Sequence, residues 1–172
     1  MPAFSFALLL TALNQQSPRC VAPKAQAAKV EAFRADATSS PLYLFAVKNF
    51  GAPLRCRGTS HKSADGQSNR LTFDFAGGTT LILAVSMPET IEETLTGKPG
   101  FVDLAQAKAA MDAEAKNSNG HIDWTKKPEE SAGSEPGSVS KTYWDPSDDS
   151  NLGVDLVYRG PDLVGLRFHL AL

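Results

Sequence analysis

Cysteine is scarce: Cys20 and Cys56 are the only two in 172 residues, and no CxxC pair occurs. In an exported protein a Cys20–Cys56 bridge would stabilise the fold by about 3–4 kcal/mol on the chain-entropy account. The alternative is that Cys20 departs with a leader or sits in a frayed terminus, leaving Cys56 a free thiol. Histidine is scarcer in effect. His61, His121 and His169 are scattered, with no HExxH and no helical His pair, so no metal and no other cofactor is expected. Catalytic motifs are missing as well. There is no GxSxG, Gly97-Lys98 lacks the surroundings of a phosphate loop, and neither cysteine has a nucleophile's neighbourhood. Paired carboxylates carry no information in a chain with 19 acids. The sequence therefore offers nothing to support an enzyme, and no catalytic residue is assigned.

Charge is missing from the start of the chain. No charged residue precedes Arg19, and Phe4 to Leu13 is an apolar run of ten. That run is too short to span a bilayer but suits the hydrophobic part of a secretory signal. Residues 1–20 are thus read as a signal-like segment ahead of a domain over 21–172, in an extracytoplasmic protein with no stable membrane span. A short buried N-terminal element is the competing reading, because no Lys or Arg precedes the run and Arg19 stands directly before Cys20. Strong net charge is absent too, at -2, which argues against nucleic acid as a partner. The distribution is uneven: residues 1–86 hold 9 Lys/Arg and 4 Asp/Glu, residues 87–172 hold 8 and 15. Hydrophobic residues at 42% and charged residues at 21% are ordinary globular values. One domain with a real core is expected, and no internal repeat is visible.

What is present is periodicity. Val154, Leu156 and Tyr158, then Val164, Leu166, Phe168 and Leu170, alternate with other residues on either side of Gly160-Pro161-Asp162. This is a C-terminal β-hairpin. A two-residue Pro-Asp loop would set Leu156 against Arg167. One more loop residue pairs Leu156 with Leu166, Val154 with Phe168 and Asp155 with Arg167, and the buried face selects that register. Leu71, Phe73 and Phe75 lead through Gly77-Gly78 into TTLILAVS, a second hairpin.

Three helices are expected from composition and caps. One covers residues 22–37. A second follows Ser40-Pro41 and stops at Gly51, though LYLFAVKNF also suits a buried strand. The third runs from about Val102 to Lys116 behind Asp103 and Gln106. Ser86 to Glu89 has capping-box spacing, so Ile91 and Leu95 are placed on a short helix. Short strands are placed at 54–57, 121–124 and 139–144. Residues 126–137 (KKPEESAGSEPG) read as a mobile loop. The fold class is therefore α+β: a mostly antiparallel sheet of about five or six strands with helices on one side, closed by the hairpin.

The acids of Asp145 to Asn151 lack the alternation of a calcium loop, and turn chemistry accounts for them. With Tyr143 and Trp144 beside them, Asp145, Asp148 and Asp149 form an expected partner surface, suited to a basic protein. His169 is read as a surface histidine. The basic stretch Arg55, Arg57, Lys62 and Arg70 is the second surface. The function expected is a non-catalytic extracytoplasmic protein-binding module, such as a periplasmic inhibitor or immunity-type antagonist. A small hydrolase assembled only in three dimensions and a structural envelope component are the alternatives.

Overall fold

A computed structural model describes residues 18–64, 66–87, 90–147 and 151–171. The signal-like run and Asp148 and Asp149 lie outside these residues. Helices α1 (Ala27–Ala37), α2 (Pro41–Phe50) and α3 (Leu104–Asn117) accompany eight strands. The strands are β1 (Arg55–Ser63), β2 (Gly66–Asp74), β3 (Thr80–Met87), β4 (Thr90–Thr96), β5 (Glu129–Ala132), β6 (Ser138–Trp144), β7 (Leu152–Arg159) and β8 (Asp162–Ala171). All pair antiparallel in one sheet, in the order β1-β2-β3-β4-β8-β7-β6-β5. The α+β class and the terminal hairpin hold, while the strand number rises from five or six to eight.

The order contains a repeat that the sequence does not display. A helix followed by a four-stranded meander occurs twice, α2 with β1–β4 and α3 with β5–β8. Each meander ends on a central strand, β4 or β8, and these two pair with each other. The halves are thus related by an approximate twofold normal to the sheet. All three helices lie on one face, where Leu71, Phe73, Leu81, Leu83, Leu95, Leu156, Leu166 and Phe168 are buried. Full burial of each such side chain contributes about 1.5–3 kcal/mol.

Local chemistry explains the helices. Ser40 accepts a hydrogen bond from Tyr43 N at the start of α2, with Pro41 in the first turn and Gly51 just past the end. Asp103 and Gln106 close a reciprocal capping box at α3. Two sequence expectations fail here. Residues 90–96 are strand β4 rather than a helix, since Ile91 and Leu95 share a face at strand spacing as well as at helical spacing. Residues 121–124, expected as a strand, form a loop and turn. The polar stretch 126–137 contains edge strand β5, held by pairing with β6.

The terminal hairpin keeps the expected register by a different device. Leu156 pairs with Leu166, Val154 with Phe168 and Asp155 with Arg167, yet the loop has only two residues, Gly160 and Pro161. The register shifts between Val157 and Tyr158, so Val164 is the extra residue of a bulge. Gly160 takes φ 60, and a positive φ followed by proline's fixed negative φ suits a type II′ turn.

Cys20 and Cys56 are disulfide-bonded, 36 residues apart. The bridge fastens a short segment along the outer edge of β1. Val21 N donates to Cys56 O at 2.9 Å, Gly58 N to Val21 O at 3.0 Å, and Ser60 N to the Gln26 side chain at 2.9 Å. Backbone groups that would otherwise invite another strand are thereby satisfied. No helix among the described residues is long and apolar enough to cross a membrane.

Candidate functional site: the open face of the sheet

Strand alternation sends every second side chain away from the helices. The face so formed carries Arg55, Arg57, Arg70 and Asp74 at the β1–β2 end, Glu92, Thr94, Arg167 and His169 at the centre, and Asp155, Ser140 and Trp144 beyond. Lys62 falls on the opposite side. Arg57 binds both carboxylate oxygens of Asp74, at 3.1 and 3.2 Å.

A cavity of about 480 Å³ opens on this face beside the β4–β8 seam, lined among others by Thr94, Gly165, Arg167, Ser140, Arg159 and Glu135. Its two arginines already hold carboxylates. Arg167 binds Asp155 through a single oxygen, Oδ2, and Arg159 binds Glu135 of the β5–β6 turn. The pairs differ in kind. Asp155 has no exposure to solvent, whereas Glu135 and Arg159 keep 61% and 48% of their side-chain surface. Removing Arg167 would strand a buried charge, while the exposed pair is worth about 1 kcal/mol or less. The Ser140 hydroxyl, buried in the cavity wall, has no partner among the described residues, nor does Asp155 Oδ1. The Ser138 hydroxyl donates to Glu135 O at 2.6 Å. Neither serine therefore contacts a base that would make it a nucleophile.

Next to the cavity, Trp144 and His169 meet edge to face at 5.1 Å across Gly153. The indole is 44% exposed. Burial lowers the His169 pKa below its ordinary value, with Arg167 adding to the effect and Asp155 and Glu92 opposing it, so the imidazole is neutral at neutral pH.

The acidic-aromatic cluster read from the sequence does not stay together. Trp144 joins the open face. Tyr143, its neighbour in β6, points to the other side and packs against Trp124 with ring centres 4.8 Å apart. Asp145 turns inward, only 7% exposed, and accepts from His121 N at 3.0 Å and from the Ser147 backbone and hydroxyl at 2.8 Å each. It is a structural hub of the turn and not a contact residue, because one carboxylate satisfies donors from two loops. His169 is half-buried on the open face, in partial agreement with its surface reading.

Sequence reasoning missed Arg159, Glu135 and Ser140, whose meeting depends on the β5–β6 pairing. It also missed a buried carboxyl pair on the helix side. Glu93 of β4 and Glu114 of α3 are 8% and 2% exposed. Burial raises both pKa values, and Glu114 raises that of Glu93 further, to about 8. No protein-family model matches the chain, and neither a curated protein nor a solved structure matches it significantly.

Proposed function

We propose that this protein is a non-catalytic, extracytoplasmic binding module that presents the open face of its sheet to another protein, as an inhibitor or immunity-type antagonist would. The observation that carries the reading is a sheet covered by helices on one face only, whose bare face combines an exposed tryptophan, a polar cavity and five arginines. Eight strands spaced by about 4.8 Å, with some seven residues each, make a face of about 800 Å². That matches what one partner contributes to a stable protein–protein interface. A hydrogen-bonded sheet is also pre-ordered, which lowers the entropic cost of docking. The Cys20–Cys56 bridge suits an oxidising compartment. The expectation of a basic partner rested on Asp145, Asp148 and Asp149, and the inward turn of Asp145 weakens it. Arg55, Arg57 and Arg70 on the open face favour an acidic partner loop.

The test starts with a partner captured from the envelope fraction and purified. Trp144→Ala should then weaken binding by about thirtyfold, the effect of losing an interfacial anchor worth about 2 kcal/mol, with the melting temperature unchanged. Arg70→Glu should slow association more at low salt than at high salt. Full affinity in both variants would remove the open face as the docking surface.

A further inference from the structure

Deepening that reading, we infer that the central cavity receives a carboxylate side chain, Asp or Glu, carried on the partner's loop. The two arginines lining it are both held by carboxylates of this chain, so the geometry at each guanidinium is already that of carboxylate recognition. Their unspent capacity is on the donor side. Arg167 commits its contacts to one oxygen of Asp155, and Arg159 commits one nitrogen to Glu135. The buried Ser140 hydroxyl adds a donor without a partner among the described residues. The cavity's acceptors are already engaged: Glu92 accepts from the Thr94 hydroxyl at 3.3 Å, and Glu135 holds Arg159.

Glu135 is the residue a partner would displace. It sits on a turn, its pair with Arg159 is exposed, and such a pair is cheap to break. Exchange of one carboxylate for another leaves the charge count of the cavity unchanged while the incoming group gains Ser140. Arg167 stays in place, because Asp155 beneath it needs its charge.

Titration of the full-length, isotopically labelled protein by NMR tests this. The probes are the capped tripeptides Gly-Glu-Gly, Gly-Gln-Gly and Gly-Lys-Gly, with glutarate as a small-molecule carboxylate. The Glu peptide should give saturable shifts in amides of residues 138–140, 157–159 and 165–167, and bind at least about threefold tighter than the Gln peptide. Glu135→Gln should tighten Glu-peptide binding by a similar factor, since the internal competitor is gone, and Arg159→Gln should weaken it. Both variants alter exposed side chains and should melt like the parent. Equal binding of Glu and Gln peptides, preference for Lys, or no tightening in Glu135→Gln overturns the inference. Glutarate matching the peptide overturns its assignment to a protein loop. Peptide binding that survives while Trp144→Ala leaves partner affinity intact would fault the docking surface and not the cavity.

Discussion

Glu93 and Glu114 lie in one buried seam beneath the first turn of α2, each held by a hydrogen bond from that turn. Ser40 Oγ donates to Glu93 Oε2 at 3.1 Å, and Leu42 N donates to Glu114 Oε2 at 2.9 Å. The pair joins β4 of the first meander to α3 of the second through the helix that opens the first. Two ionised carboxylates cannot be buried together cheaply, so the folded chain retains protons that the unfolded chain has released.

The sign of the pH dependence follows. Carboxyl pKa values raised in the folded state stabilise the protein fully below the ordinary value near 4.5, and that contribution is lost as pH rises towards about 8, the folded value of Glu93. Melting temperature should therefore fall between pH 5 and pH 8 in the parent. Glu93→Gln keeps an acceptor for Ser40 and removes the charge, so it should flatten that slope and raise stability at pH 8. Calorimetry of both proteins across this range checks it, and a Glu93→Gln slope equal to the parent's would show that other groups govern the window.

Reduction of the Cys20–Cys56 bridge should cost about 3–4 kcal/mol, or roughly 10 °C in melting temperature for a chain of this size. Losses should concentrate where the bridge fastens the 20–26 segment to β1. Hydrogen exchange should then rise first at the amides of Val21, Gly58 and Ser60, whose bonds depend on that segment. A uniform rise across all eight strands would instead mean that the bridge holds the whole domain.

Asp145 separates the contact reading of the 143–149 loop from the structural one. Burial alone would raise its pKa, but hydrogen bonds from the Ser147 and His121 backbones and the Ser147 hydroxyl, with nearby His121, outweigh it and lower the pKa overall. A lowered carboxyl pKa contributes stability above the ordinary value near 3.8, lost as pH falls through the folded value. Asp145→Ala should destabilise by about 2–3 kcal/mol at pH 7, since several buried donors lose one acceptor. A stability change under about 0.5 kcal/mol in denaturant unfolding would return Asp145 to the surface.

How much could be read from the sequence depended on which side chains broke the pattern. The hairpin of β7 and β8 was legible because Val154, Leu156, Leu166 and Phe168 are apolar on one face without interruption. β4 was not, because the helix-facing row Ile91, Glu93, Leu95 places a carboxyl where the period calls for an apolar group. The same residue that hid the strand forms the buried acid pair. β5 escaped because its residues are all exposed and polar, and edge pairing leaves no hydrophobic trace. The cavity follows from β5 and from the central β4–β8 pairing, a contact between strands about seventy residues apart that no local signal encodes. The repeat stayed hidden for a related reason: it lies in topology, and β1 with nine residues has as its counterpart β5 with four.

Gly153 tests whether the Trp144–His169 pair is a built feature of the open face. A Cβ at this position would lie 2.4 Å from His169 Nε2 and 2.9 Å from Trp144 Cε3, too close for either ring to remain in place. The backbone of β7 need not move, because both obstructing groups are side chains. Gly153→Ala should therefore preserve the sheet and displace the rings, with a modest loss of stability of about 1–2 kcal/mol. Trp144 fluorescence and the His169 ring resonances should shift, and the histidine, less enclosed, should titrate nearer its ordinary value. If the rings anchor a partner, affinity should fall with the sheet intact. Unchanged fluorescence and histidine titration in a folded Gly153→Ala protein would mean that the pair does not close over the glycine in solution.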